Sequence, residues 1–322
     1  LSDSVIYMAY YLLSKYINLF NIESDKLTDD LFDYVFLGIG DPAIISTNTG
    51  LEESILKDMR DEFMYFYPLD SRHSGRDLVP NHLTFFIFNH SAVFPREYWP
   101  KEIVVNGSVL MEGKKMSKTY GNIIPLRDAV KKYGADPLRL TIMGASELLA
   151  DADISLEDVH MYSERLEKLH TAASQLCSND KLLEYDKLAI EDRWILHRLQ
   201  SHIMKVTEAM NNSRVREVIH YSIYIMDQDL QWYLRRTSHN TNNSRKQTIN
   251  KVLREILEIR IKMLAPITPF ISEEISEMMG NAVPLVSAAW PEINELLVDI
   301  IAEESEELVK NYIKEIKKKE KD

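Results

Sequence analysis

Three lysines and two hydroxyl side chains fall within the six residues from Lys114 to Thr119, which read KKMSKT. Gly113 precedes this cluster and Gly121 follows it, which predicts a flexible loop ahead of a helix that begins near Leu126. Such a loop could close over a polyphosphate, where the ammonium groups would offset the charge that builds up on the phosphates in a transition state. A solvated basic turn is the alternative, and it is favoured for an arbitrary lysine-rich loop. The exact order Lys115-Met116-Ser117-Lys118-Thr119, followed by Gly121-Asn122, is however hard to obtain by chance.

The elements that would position this loop change in type along the chain. The short β-branched run Ile103-Val104-Val105 predicts a buried strand, and helices are predicted at Ile6–Phe20, Ser54–Met64 and Leu126–Tyr133. Alternating strands and helices predict an α/β layer for the first part of the chain. After Asp158 the strand signals stop and amphipathic helices follow, which predicts a helical bundle. Apolar residues at intervals of three and four mark its faces: Ile195, Leu199, Ile203, Val206 and Met210; Val215, Val218, Ile219, Ile223 and Met226; Ile249, Val252, Leu253, Ile256, Leu257, Ile261 and Leu264.

Composition excludes several classes of protein. The chain has 322 residues, enough for two domains, and one cysteine, Cys177, which excludes a disulfide framework and a multi-cysteine zinc site. The sequence holds no apolar stretch long enough for a membrane helix. The net charge of −12 for the whole chain argues against nucleic-acid binding. It does not exclude such binding, because a locally basic surface can still bind phosphates. The chain begins at Leu1 without a signal-peptide pattern, so we expect that its start is a cut within a longer protein.

The segment Val104–Asn122 resembles the KMSKS loop of class I aminoacyl-tRNA synthetases, with Thr119 in place of the last serine. The resemblance implies that Lys115 and Lys118 are catalytic and stabilise the pyrophosphate leaving group when ATP and an amino acid form an aminoacyl-adenylate. It also implies ATP-binding positions at Val109, Leu110, Lys115, Met116, Ser117 and Lys118.

The segment 67–90, YPLDSRHSGRDLVPNHLTFFIFNH, is similar to the corresponding part of archaeal and eukaryotic leucyl-tRNA synthetases. The resemblance implies that Gly75 lets adenosine approach the backbone, that Asp77 accepts hydrogen bonds from the ribose hydroxyls, and that His82 faces the nucleotide. Dinucleotide-binding folds use the same kind of interaction, in which a carboxylate accepts hydrogen bonds from ribose hydroxyls. Without the resemblance, a helix N-cap is the favoured role of Asp77, since Leu78, Val79 and Pro80 follow it, and the cap and ribose roles are not exclusive.

The opening LSDSVIYMAYY resembles the strand and helix that follow the editing insertion of leucyl enzymes. The resemblance implies that Ser4 and Tyr7 lie near the amino-acid pocket. Core packing at helical spacing is the alternative for Tyr7, and it is favoured for Tyr10 and Tyr11.

Two helical segments resemble elements of the same enzymes. LAPITPF, residues 264–270, is similar to a Pro-x-x-Pro element, although Phe270 stands where histidine is common, and prolines that punctuate a helix explain it as well. Residues 232–236, WYLRR, resemble the tRNA-facing bundle, which implies tRNA binding by Arg235 and Arg236. Surface pairing of these arginines with Asp227 and Asp229 is the open alternative. The acidic and basic runs after residue 303 predict a solvated terminal helix.

The resemblance implies an α/β plus all-α fold with four parts. They are the C-terminal half of a Rossmann-like (HUP) catalytic domain at 1–100, the KMSKS loop and stem-contact region at 101–157, a helical-bundle anticodon-binding domain at 158–283, and a linker with a charged tail at 284–322. The implied function is a cytoplasmic leucine–tRNA ligase in protein biosynthesis, a nucleotide-binding ligase with ATP, leucine and tRNA(Leu) as substrates and Mg²⁺ accompanying ATP. No protein-bound metal site and no membrane contact are predicted.

Two parts of that enzyme are not found in the sequence. The chain contains no His-Ile-Gly-His motif, and His73-Ser74-Gly75-Arg76 does not replace it. No editing insertion is recognised either, so we expect this polypeptide alone to be inactive and to need an N-terminal catalytic half in cis or in trans. A non-catalytic tRNA-binding fragment or paralogue, one subunit of a split synthetase, and isoleucine, valine or methionine as the amino acid remain the alternatives.

Overall fold

A computed structural model describes residues 2–116, 119, 121–123, 125–176, 185–239 and 242–319, the side chains of residues 2–4 and 186 excepted. The chain divides into two compact units, Leu1–Ser108 and Val109–Asp322, which we call unit 1 and unit 2.

Unit 1 is mostly helical. Its helices are α1 (Ser2–Leu19), α2 (Asp29–Phe32), α3 (Pro42–Thr49), α4 (Glu53–Phe66) and α5 (Thr84–Val93). The helices predicted at Ile6–Phe20 and Ser54–Met64 are confirmed as α1 and α4. Helix α4 buries Leu56, Met59 and Phe63, which recur at intervals of three and four and face the core of the unit.

The sheet of unit 1 has two described strands, β1 (Arg72–Gly75) and β2 (Ile103–Asn106). They run parallel, with Arg72 opposite Ile103 and Gly75 opposite Asn106. The β-branched run at 103–105 therefore forms the strand that the sequence predicts.

Unit 2 opens with a small sheet of three described strands in the order β4-β3-β5. Strand β3 (Val109–Met111) pairs antiparallel with β4 (Lys114–Lys115) and parallel with β5 (Ala152–Ile154). Between β4 and β5 lie α6 (Leu126–Tyr133), at the predicted bounds, and α7 (Ala135–Ala145).

The rest of unit 2 is a helical bundle, as predicted. Its helices are α8 (Leu156–Leu176), α9 (Ile190–Asn211), α10 (Val215–Ile219), α11 (Met226–Thr237), α12 (Asn243–Leu264), α13 (Pro269–Met278) and α14 (Ile300–Lys319). Helix α9 is central, because α10, α11, α12 and α14 all contact it. Its predicted apolar face is buried at Ile195, Leu199, Ile203 and Val206.

The charged C-terminal segment differs from the predicted solvated helix. Helix α14 packs on α9 and buries Ala302 and the carboxylate of Glu306. Glu304 and Glu307 are exposed and Glu303 is half-buried, so only part of the acidic run faces solvent. The prediction was wrong for Glu306 because its ionic partner lies 70 positions earlier in the chain, at Arg236.

Candidate functional site

The nucleotide segment of unit 1 begins where β1 ends. Gly75 is the last residue of β1, and a 3₁₀ turn over Arg76–Leu78 carries Asp77. A Cβ atom added to Gly75 would lie 2.6 Å from Oδ1 of Asp77, so the absence of a side chain lets the carboxylate lie against the backbone. The N-cap explanation of Asp77 is wrong: the N-cap positions of this turn and the next are Gly75 and Leu78. The Asp77 carboxylate therefore caps neither turn.

His82 lies on the next turn, a single π-helical turn over Val79–Leu83. Such turns are frequent at functional sites. The imidazole is half-buried, and its Nε2 lies 3.4 Å from a guanidinium nitrogen of Arg72 on β1. His82 therefore lies near the strand that leads to Gly75 and Asp77.

His90, at the end of the same segment, is a buried core residue. Its ring is fully buried among Tyr67, Phe86 and Phe94. Nδ1 lies 2.9 Å from the carbonyl oxygen of Phe86, and Nε2 lies 3.3 Å from the Tyr67 hydroxyl. Burial lowers the pKa of His90 below its usual value, which favours the neutral ring.

Three aromatic residues of α1, Tyr7, Tyr10 and Tyr11, are exposed, whereas Tyr16 is buried in the core of unit 1. Tyr7 is 48% exposed and Tyr11 69%, so the core-packing explanation is wrong for these residues and for Tyr10. A cleft of about 710 Å³ runs along this face, with Tyr7, Tyr11, Lys15, Glu62, Phe66 and Tyr67 among its lining residues. The side chain of Ser4, the other residue implied in the amino-acid pocket, lies outside the described residues.

The cleft has an ion pair on its wall. The ammonium of Lys15 lies 2.6 Å from a carboxylate oxygen of Glu62 and, with a hydrogen bond from Tyr16, holds the pKa of that carboxyl below its usual value. Aromatic walls with a few charged groups are typical of small-molecule sites. The lining of the cleft is thus compatible with a small-molecule site.

The lysine segment of unit 2 is a hairpin where the sequence predicts a flexible loop. Strands β3 and β4 pair Leu110 with Lys115, and the turn between them uses the left-handed backbone of Glu112 (φ 51°) and Gly113 (φ 75°). Two positive φ values are what a type I′ hairpin turn requires. The prediction missed the hairpin because Glu-Gly is a weaker turn signal than Asn-Gly or Asp-Gly.

Two side chains remote from the turn hold the lysine hairpin, Val109–Lys115, in place. The backbone N–H of Gly113 donates to Oδ1 of Asp153 on β5, at 2.8 Å. The side-chain amide of Asn122 donates to the carbonyl oxygen of Lys115, at 3.2 Å. Sequence reasoning assigned no role to Asp153, because nothing local in the chain signals a bond across 40 positions.

The implied phosphate-binding residues lie on or next to the lysine hairpin. Val109 and Leu110 are on β3, Lys115 is exposed on β4, and Met116 follows it half-buried. Ser117 and Lys118 lie outside the described residues. Lys114 and Lys115 are adjacent on one strand, so their side chains point to opposite faces, and only one of them can face a given ligand.

The two arginines of the bundle have different environments. Arg235 is exposed, whereas Arg236 donates from Nε and a terminal nitrogen to the buried carboxylate of Glu306, both at 3.0 Å. The predicted pairing with Asp227 and Asp229 is wrong, because α11 points those carboxylates at other elements. Asp227 binds Arg165 and Arg260, and Asp229 binds Arg198 and His202.

The described part of the chain lacks a metal cluster and a membrane span. There, no group of three or more His, Cys, Asp and Glu side chains could hold a metal ion. Among the same residues, no helix combines the length and apolarity that crossing a bilayer requires.

Two models of known protein families match separate parts of the chain. Residues 47–155 match a family model described as class I tRNA synthetases (I, L, M and V). Residues 192–322 match a model of the anticodon-binding domain of tRNA ligases.

Similar proteins cover nearly the whole chain. It is 41% identical to leucine–tRNA ligase of Methanocaldococcus jannaschii over 98% of its length, and 40% identical to that of Pyrococcus furiosus over the same share. Leucine–tRNA ligase 2 of Saccharolobus solfataricus is 39% identical over 98% of the chain. The chain spans 32 to 33% of the length of these relatives.

A solved structure has the same fold over most of the chain. It is the LeuRS agnB2 of Agrobacterium radiobacter K84 in a ternary complex with tRNA and LeuAMS. The match has a TM-score of 0.61 at 24% identity and covers 75% of this chain and 30% of that one. The chain thus consists of a portion of a class I tRNA synthetase catalytic domain of the I, L, M and V group, followed by a helical anticodon-binding domain.

Proposed function

We propose that this chain is part of a leucine–tRNA ligase, in which it contributes to ATP-dependent formation of leucyl-adenylate and to transfer of leucine to tRNA(Leu). The observation that carries the proposal is the lysine hairpin, which presents Lys115 on a strand whose turn is fixed by Asp153. A lysine held in place before the reaction can stabilise charge on a leaving pyrophosphate without reorganising during the step. Identity of 40 to 41% to leucine–tRNA ligases supports leucine as the amino acid.

The roles follow from the chemistry of each group. Lys115 and Lys118 are the catalytic residues, and Met116, Ser117, Val109 and Leu110 line the phosphate side of the ATP site. Gly75, Asp77 and His82 bind the adenosine, with the Asp77 carboxylate accepting from the ribose hydroxyls. Mg²⁺ enters with ATP as part of the substrate.

The amino acid and the RNA have proposed sites of their own. Tyr7 and Ser4 belong to the leucine pocket, and the cleft of about 710 Å³ beside Tyr7 supports this. Arg235 is the stronger candidate for tRNA contact, since Arg236 is already paired with Glu306. The four-part division at 100, 157 and 283 and a place in the cytoplasm belong to the same proposal.

An N-terminal catalytic half is the proposed partner of unit 1. Its described sheet has two parallel strands. Parallel sheets are normally larger parts of a domain in which other elements cover both faces. Large apolar side chains are also exposed on its helices, among them Phe88 on α5 and Tyr65 on α4. Contiguous exposed apolar surface marks a site of protein contact.

Two experiments test the proposal. In the first, the chain alone is assayed for leucine-dependent ATP–pyrophosphate exchange and for tRNA(Leu) binding on filters. We expect binding without exchange, because the chain has no His-Ile-Gly-His motif. In the second, this chain replaces the matching third of the M. jannaschii relative, and we call that protein the chimera. Exchange by the chimera supports the catalytic assignment, whereas a folded chimera that binds tRNA without exchange supports the non-catalytic alternative.

A further inference from the structure

The corner between α12 and α13 leaves backbone polar groups that its own residues do not satisfy. Helix α12 ends at Leu264 and α13 begins at Pro269, so the last carbonyls of one helix and the first amides of the other lie within a few residues. Thr268 occupies the N-cap position of α13, but its side chain makes no capping bond. Its hydroxyl lies 3.3 Å from the carbonyl oxygen of Leu264 instead.

Helix α7 supplies the missing partners from 127 to 135 positions away. The carboxylate of Asp136, 5% exposed, accepts from the N–H of Ile271 at 2.8 Å. The guanidinium of Arg139 donates to the carbonyl oxygens of Ile267 at 2.7 Å and Pro266 at 2.9 Å. An anion thus lies at the N-terminus of α13 and a cation beyond the C-terminus of α12, each at the end that the helix dipole favours.

Helix α7 is also connected to the lysine hairpin, and every element of the connection lies in unit 2. It contacts β5, which pairs with β3 and carries the Asp153 that binds the turn of the hairpin. In the other direction, α6 precedes α7, joined through Gly134. Four residues before α6, Asn122 binds the carbonyl oxygen of Lys115.

We propose that Asp136 and Arg139 are positioning residues that couple the α12–α13 corner of the bundle to the lysine hairpin. RNA bound on the bundle then changes the conformational freedom of Lys115 through α7. The inference rests on the proposed function in one respect, namely that the bundle binds tRNA. Neither side chain touches ATP or leucine in this scheme, because each acts on the backbone of the corner.

The test is hydrogen–deuterium exchange of the 322-residue chain with and without a tRNA(Leu) transcript, alongside filter binding. In the wild type, RNA should slow hydrogen exchange in the bundle. It should also change the exchange rate of peptides spanning 109–116 and 122–133 by at least about fivefold, which is the lower end of typical coupling factors. In Asp136→Ala and Arg139→Ala, affinity and bundle protection should stay within about twofold while the response of the hairpin is lost. A merely structural role would instead lower affinity and response together.

Matched controls and conservative variants make the test specific. Asp128→Ala and Arg127→Ala remove the same charges from exposed positions on α6 and should leave the response intact. Asp136→Asn retains an acceptor for the Ile271 amide, and Arg139→Lys retains one donor, so both should restore part of the response. If the alanine variants do not fold by circular dichroism, these two variants decide the question.

Three outcomes separate the coupling from the proposed function. A hairpin that still responds in folded Asp136 and Arg139 variants overturns the coupling. So does a wild-type chain that binds tRNA with no change at 109–133. A wild-type chain that binds no tRNA contradicts the proposed role of the bundle. The coupling is then tested without RNA, through the bonds that Asp136 and Arg139 make to the α12–α13 corner. If hydrogen exchange in α6 is no faster in the two alanine variants than in the controls, the coupling is overturned.

Discussion

Replacing Arg236 by alanine should destabilise the bundle, while replacing its neighbour Arg235 should not. The two side chains are adjacent on α11, but only Arg236 is joined to a buried group. Its partner Glu306 on α14 is 1% exposed and accepts hydrogen bonds from Nε and a terminal nitrogen of Arg236 and from Nε1 of Trp232. The hydrogen bonds to Glu306 also hold the pKa of the Arg236 guanidinium above its usual value.

The size of the effect follows from what Arg236→Ala leaves behind. Glu306 keeps its hydrogen bond from Trp232 but loses its counter-ion and the guanidinium donors. Removing one partner of a buried ion pair costs about 3–5 kcal/mol. Arg236 itself is 31% exposed, so water reaches the vacated position and the lower end applies, about 3 kcal/mol.

Urea denaturation followed by tryptophan fluorescence measures this cost. Trp194 and Trp232 lie against α14, because the ammonium of Lys310 on that helix lies 4.6 Å and 5.6 Å from their ring centres. Their fluorescence therefore reports on the packing of α14. With a slope of about 3 kcal/mol per molar urea, the midpoint of Arg236→Ala should fall by about 1 M. Arg235→Ala should change stability by less than about 0.5 kcal/mol and should weaken tRNA binding. Equal midpoints for the wild type and Arg236→Ala would refute the reasoning.

Three further predictions concern the lysine hairpin, the nucleotide segment and the bundle. In the chimera, Lys115→Ala should lower the rate of leucine-dependent exchange about 100-fold, and Lys114→Ala, on the opposite face of β4, should change it less than about threefold. Gly75→Ala should displace the Asp77 carboxylate and raise the KM for ATP about tenfold with stability unchanged, and an unchanged KM would argue against ribose binding there. Burial lowers the pKa of His202 in the folded state, so the unfolded chain binds more protons below the ordinary pKa of about 6.5, and stability should fall from about pH 7 to about pH 5. Urea midpoints at both pH values should show a smaller fall in His202→Gln, and an equal fall would exclude this histidine as the cause.

Features set by local pattern could be predicted from the sequence. The apolar spacing of α9 and α12 identified helices whose faces are buried, and the β-branched run at 103–105 is a strand. In these cases the deciding interaction lies within one turn or one strand of the residue concerned.

Features set by distant partners could not be predicted. Glu306 looks like part of a solvated acidic run until its bond to Arg236 is known, and Asp136 shows no sign of capping a helix that begins at Pro269. Bonds of this kind join residues that sequence spacing does not relate. Core packing is wrong for Tyr10 and Tyr11 for a different reason: an aromatic residue at helical spacing has the same pattern whether its face meets the core or solvent.

Leucine-dependent ATP–pyrophosphate exchange by the chimera tests the central claim most directly. The account predicts exchange with leucine, at most weak exchange with isoleucine, valine or methionine, and loss of the activity in Lys115→Ala. A chimera that folds and binds tRNA(Leu) but gives no leucine-dependent exchange would contradict it, as would exchange that persists at the wild-type rate without the lysine.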